Sequence, residues 1–303
     1  YPDSFFPKTV KIDFQLFDDQ LKVTAETDIN TKVEGVMTLS TPNSKSTIST
    51  QKMSWNEFKL LISSKEGGIV YRGQNEDWKL QTSFHRSDRN DLTRYQQEDI
   101  PQLHRALSAK TQHVFDLSNS FENGAFLNLA QHHGYPTPLL DWTYSPYVAS
   151  FFAFRGISKQ SAEKNPTKSV RIFIFSSEKW RKKYKQNQNM LTGQRHFSVI
   201  ELLAIENNRM VPQQATTTIT NVGDIEDFIK TYEDKSNERF LQAIDIPWSE
   251  RNNVIKDLKL MGVTAGSVFP GLDGTCEEFK ENMFINLTGI AMSAVLSSAS
   301  TII

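Results

Sequence analysis

The chain has 303 residues, 38% of them hydrophobic, with 34 lysines and arginines against 35 aspartates and glutamates. That apolar content excludes an intrinsically disordered chain, and the net charge of −1 excludes a global field that would hold the protein on nucleic acid or an anionic membrane, although a local patch stays open. The one cysteine, Cys276, excludes intrachain disulfides and cysteine-rich zinc sites, and no secretory leader is legible in YPDSFFPKTVKIDF, so the expectation is a globular cytoplasmic protein.

Residues 9–50 alternate apolar and polar positions, as in TVKIDFQLF, LKVTAETDI and VEGVMTLST, which predicts short antiparallel strands. The polar stretch Ser40–Lys52 reads as a linker. Ser54, with Glu57 three residues on, has the spacing of a capping box for a helix over WNEFKLLISS. GGIVYRGQ then predicts a strand that ends at Arg72. From Leu92 to His133 the periodicity is helical, and Gly134 is placed to end the last helix. LLDWT predicts a strand, and Ser145-Pro146 the start of a helix over SPYVASFFAF. SVRIFIFSS, SVIELLAIE and RFLQAIDIP read as β, residues 222–232 and SERNNVIKDLKLMG as helical, and VTAGSVFPGLDG as a strand followed by a turn. The uncharged end, Ile285–Ile303, is diluted by serines and threonines below a membrane span and is expected to form a packed strand or helix. Strands and helices mix without strict βαβ alternation, which predicts an α+β fold: a mixed, mainly antiparallel sheet core flanked by helices, with a small β-rich N-terminal segment over 1–50.

The segment AQHHGYPTPLLDWTYSPYVASFFAF concentrates the unusual residues. His132 and His133 are adjacent, so on a helix their side chains diverge by ~100° and do not share a metal readily. Neither an HExxH motif nor a Cys/His spacing is present, and no metal is expected. Asp141, between Leu140 and Trp142, is expected to need a partner, either an arginine or the amides of the next turn. Thr143 and Ser145 place hydroxyls at that turn, beside a helix start that can attract an anion. Arg72 ends a strand just before Gly73 and Gln74, where its planar fork can grip a phosphate or carboxylate, or pair with an acid such as Asp141. Arg209, Gln213 and Gln214 lie in NNRMVPQQATTTI and can read a ribose or an amide, or serve the loop backbone. The basic run EKWRKKYKQNQ reads as a solvated face.

Taken together, VYRGQ, AQHHGYPTPLLDWTYSPYVASFFAF, NNRMVPQQA and VTAGSVFPGLDG resemble the FRG domain family of bacteria and their phages. The resemblance spans residues 54–282 and leaves 283–303 as a tail. Pro138 stands where the family usually has Arg, and Ala215 where it often has Gly. A strand ending in Arg-Gly, followed by a strand leading through Thr/Ser into a helix, is also similar to the core of ADP-ribosyltransferases. That likeness implies an NAD-dependent ADP-ribosyltransferase-like effector, a toxin or phage-defence protein, with an unidentified protein or nucleic-acid target and room for a regulatory partner but no membrane partner. It implies Arg72, Ser145, Gln213 and Glu206 as catalytic residues. NAD would be held by Arg72, Gly73, Gln74, His132, His133, Asp141, Thr143 and Arg209. The alternative is a non-catalytic module that binds a nucleotide or a protein in the same cleft.

Overall fold

A computed structural model of the protein describes residues 6–17, 20–38, 45–65, 67–87, 91–191 and 194–285. The uncharged C-terminal stretch from residue 286 onward, and with it the expected terminal strand or helix, lies outside the described residues. The chain divides into two compact units, Tyr1–Ser44 and Lys45–Ile303.

The first unit is an antiparallel meander of β1 (Val10–Phe17), β2 (Gln20–Thr27) and β3 (Lys32–Thr38). The register sets Phe14 opposite Val23 and Val23 opposite Gly35, so the period-two pattern gathers Val10, Ile12, Phe14, Leu16, Leu21, Val23, Ala25 and Val33 on one face. The turn into β3 passes through Asn30, in the left-handed region at φ 61°, where an asparagine is tolerated.

The second unit is built on a seven-stranded sheet. Its strands are β4 (Thr50–Lys52), β5 (Val70–Gln74), β6 (Leu139–Thr143), β7 (Ser169–Phe175), β8 (Phe197–Ile200), β9 (Ala215–Thr220) and β10 (Leu241–Pro247). They run in the order β4-β10-β7-β5-β6-β9-β8, and among the described residues only the β4–β10 pair is parallel. The helices are α1 (Trp55–Ser63), α2 (Leu92–Arg94), α3 (Ile100–Leu107), α4 (Ser120–His132), α5 (Pro146–Phe154), α6 (Lys159–Lys164), α7 (Ser177–Lys183), α8 (Ile225–Ser236), α9 (Arg251–Leu260), α10 (Ala265–Val268) and α11 (Leu272–Lys280). A π-helical turn over 95–99 joins α2 to α3.

Alternation along β7 explains the layering. Ile172 and Ile174 pack with Trp55 and Phe58 of α1, Ala149 and Phe154 of α5, and Val254 of α9. Phe173 and Phe175 pack with Trp142, with Trp180 of α7 and with Phe228 of α8. Both faces of β7 are therefore covered, which is why SVRIFIF reads as a continuous apolar run. A third cluster seats Phe126 and Leu129 of α4 against Leu139, Ile200 and Ile219.

Several local expectations hold in detail. Ser54 and Glu57 form the reciprocal capping box of α1, and Ser145 caps α5 with Pro146 at its first position. Others differ. VTAGSVFPGLDG forms α10 and the start of α11, because Thr264 and Ser267 make a second capping box that outweighs the β propensity of Val263 and Thr264. SVIELLAIE stays β only to Ile200, after which turns run to Gln214. The polar linker ends in β4, which adds to the edge of β10.

Candidate functional site

The sheet has a seam between β5 and β6. Their ladder holds a single residue pair, Tyr71 opposite Thr143, whereas β5 pairs with β7 over five positions and β6 with β9 over five. Continued in register, Gly73 would face Asp141. The strands diverge instead, and the Arg72 side chain takes the place of a ladder donor: its Nη1 donates to the Asp141 main-chain carbonyl at 2.7 Å. A cleft of about 440 Å³ opens there, walled by β5, β6, the end of α4, α5, the segment before β9, and Phe269.

The floor carries opposite charges. Asp141 shows what the alternation of β6 does: Leu140 and Trp142 turn into the core while the intervening carboxylate turns into the cleft, where solvent reaches it. Strand periodicity thus keeps Leu140 and Trp142 from enclosing it. Its partner is an amide. The Thr137 hydroxyl donates to Gln131 Oε1, and Gln131 Nε2 donates to Asp141 Oδ2. Close protein walls still desolvate the carboxyl and raise its pKa above the usual 3.8, against the opposing pull of the Arg72 charge and the Gln131 hydrogen bond. Burial lowers the Arg72 pKa to about 10, with Asp141 raising it and Arg86 lowering it, so the guanidinium stays charged at neutral pH. Arg72 Nε is buried without a hydrogen-bond partner among the described residues.

Gly73 has a different role from the one expected. A Cβ there would stand 1.9 Å from the Ala149 carbonyl oxygen, so the glycine lets α5 lie on β5 and is not reserved for a ligand. Gln74 lines the cleft but donates its amide to the Trp78 carbonyl at 3.0 Å. Thr143 also lines the cleft, with its hydroxyl donating to the Gln213 carbonyl at 2.7 Å and accepting from the Ser145 amide at 3.0 Å. Ser145 is buried, accepts from the Val148 amide at 3.2 Å as the α5 cap, and is outside the lining. Both hydroxyls are thereby committed to the turn.

On the far wall, Arg209 stands over the Phe269 ring at 5.1 Å, and Gln213 Nε2 donates to the Val268 carbonyl at 3.3 Å. The segment carrying them is pinned by Asn207, whose Nδ2 donates to Asn128 Oδ1 at 2.5 Å. Glu206 is not brought in: it sits at φ 55°, is exposed, and accepts from the His113 amide at 2.5 Å. The left-handed turn directs its carboxylate away from the lining, which overturns its placement with Arg72 and Gln213. His132 lines the cleft and its pKa is lowered to about 4, first by desolvation and then by Arg209 and His133, so it is neutral at pH 7. His133 is exposed, meets the His132 ring edge-on at 4.9 Å, and lies outside the lining.

Sequence reasoning did not single out Trp78, Arg86, Gln131, Phe152 or Phe269, all of which line the cleft. Gln131 sits one position before the two histidines that drew attention, and Phe269 was legible only as part of VTAGSVFPGLDG.

With the geometry in place, comparison with known families locates the site. Residues 67–162 match the FRG domain. The FRG match begins just before β5 and ends in α6, so it takes in Arg72, Gly73, Gln74, Gln131, His132, His133, Asp141, Thr143 and Ser145. Arg209, Gln213, Glu206 and Phe269 lie beyond the FRG match. No curated protein and no solved structure matches the chain. Among the described residues no helix is long and apolar enough to cross a membrane.

Proposed function

We propose that this cleft binds NAD and that the protein is an ADP-ribosyltransferase-like effector acting on a protein or nucleic acid. The observation that carries this reading is the convergence of one accessible carboxylate, Asp141, with the guanidiniums of Arg72 and Arg209 between aromatic walls. Arginine forks suit a pyrophosphate, and the faces of Trp78, Phe152 and Phe269 suit flat heterocycles. In the reaction the bond between ribose C1′ and the nicotinamide nitrogen breaks and its electron pair leaves with nicotinamide. The acceptor's lone pair forms the new bond to C1′, and the acceptor's proton passes to Asp141. A carboxylate beside the ring stabilises the positive charge that builds on C1′, and its raised pKa suits it to receive a proton. Asp141 thus supplies the negative charge that the Gln213 amide does not.

The test is calorimetric titration with NAD, followed by chromatography for free nicotinamide. Binding with nicotinamide release that stops in Asp141→Asn supports the proposal, and absence of binding at millimolar NAD refutes it. The second reading, a non-catalytic binding module, is favoured by Gln213, whose amide supplies no charge at that wall. Tight binding without nicotinamide release selects it.

A further inference from the structure

A second, smaller chamber of about 220 Å³ shares Arg72, Arg86, Gln131 and Asp141 with the main cleft and adds Gln81, Ser83 and Tyr135. Its charge is unbalanced. Two guanidiniums stand against one carboxylate, a net charge of +1, and neither arginine makes a side-chain ion pair among the described residues. Arg72 commits Nη1 to a main-chain carbonyl and leaves Nε buried with no partner. The Arg86 side chain has no hydrogen-bond partner among the described residues and sits close enough to lower the Arg72 pKa by like-charge repulsion. A buried donor without a partner is costly, and a bound anion would satisfy it. At this volume the chamber is below the ~300 Å³ that a whole small-molecule ligand needs.

We propose that the chamber is a subsite for a phosphate monoester, held between Arg72 and Arg86 and distinct from the aromatic-walled space. A phosphate monoester offers three terminal oxygens to the two forks where a carboxylate offers two, and its monoanionic form balances the chamber's single excess positive charge. The subsite stands on the chamber's own geometry. Its use beside a bound dinucleotide rests on the NAD reading. The phosphate can be a third phosphate on the donor, as in NADP, or one on the acceptor, such as the 5′ end of a nucleic acid.

The experiment titrates inorganic phosphate into the full chain, alone and with saturating NAD, and repeats this with Arg86→Gln and Arg86→Lys. Phosphate should bind the parent protein, bind at least tenfold more weakly to Arg86→Gln, and bind Arg86→Lys with an intermediate constant. No saturable binding, or equal binding by Arg86→Gln with its fold intact by circular dichroism, overturns the subsite. Phosphate that binds while NAD does not refutes the donor reading and leaves the subsite standing. If NAD binds and displaces phosphate competitively, the chamber is not separate and the proposal fails. With NAD bound, a tenfold preference for NADP over NAD assigns the phosphate to the donor. Equal affinity for both, with a 5′-phosphorylated oligonucleotide binding better than its 5′-hydroxyl form, assigns it to the acceptor.

Discussion

Two arginines on neighbouring strands of the same sheet are treated in opposite ways. Arg171 on β7 places Nε and Nη2 on the two carboxylate oxygens of Asp245, both at 2.8 Å, and the pair is nearly enclosed. Burial works against its charge, but Asp245 outweighs burial and its pKa is raised. Arg72 on β5 has a main-chain carbonyl, an unpaired Nε and a lowered pKa. The first region has its charge balanced by a bidentate carboxylate, although Arg171 Nη1 is also buried without a hydrogen-bond partner among the described residues, and it holds strands together. The second is left incomplete at the place where the sheet opens, and an incomplete polar group in a cleft is a mark of ligand chemistry.

The comparison can be broken at the glycine beside Arg72. Gly73→Ala forces a methyl into the Ala149 carbonyl and should cost more than about 3 kcal/mol, or prevent folding. Urea denaturation measures it, and a near-neutral result would mean that α5 can shift away from β5. Next in size is Asp245→Asn, which leaves Arg171 buried without its counter-charge and should lower stability by about 3–5 kcal/mol with the same readout. Arg72→Lys should behave differently. It should change the stability of the free protein by less than about 1 kcal/mol but weaken NAD binding about tenfold, or ~1.4 kcal/mol, seen as a smaller NAD-induced rise in Tm. A large loss of Tm without ligand would show that Arg72 is as structural as Arg171.

The smallest effect concerns pH. Desolvation lowers the pKa of His85 to about 4, and His132 is lowered to about 4 as well. The unfolded chain takes up these protons near pH 6.5 while the folded chain resists them, so the unfolded state binds more protons between pH 6.5 and about 4. Stability therefore falls as pH drops through that window. His85→Gln should flatten part of the slope of Tm against pH. An unchanged slope would place the acid sensitivity elsewhere.

The sequence carried the local elements well where one short-range signal decided them. Ser54 with Glu57, and Ser145 with Pro146, fix helix starts through contacts a few residues apart. The alternation in VKIDFQLF and QLKVTAET fixes strand faces in the same way. The cleft was legible in part: Arg72, Gly73, Gln74, His132, Asp141, Thr143, Arg209 and Gln213 were named, and all line it. Trp78 and Arg86 were not, because each comes from a segment with no dense motif and reaches the site only through tertiary packing, and Phe269 was not because VTAGSVFPGLDG was read as a strand and a turn. Glu206 failed for a backbone reason, since a positive φ at a non-glycine residue is not written in its neighbours.

The single Tyr71–Thr143 pair makes the seven-stranded sheet two plates, β4-β10-β7-β5 and β6-β9-β8, joined along one stitch. Arg72 belongs to one plate. Asp141 belongs to the other, and Arg209 and Gln213 sit just before its strand β9. A molecule gripped by both therefore acts as a clasp across the join, and part of its binding energy is expressed as resistance to opening. Main-chain amides flanking the stitch should exchange with deuterium faster than those in the body of either plate, and slow most when the cleft is filled.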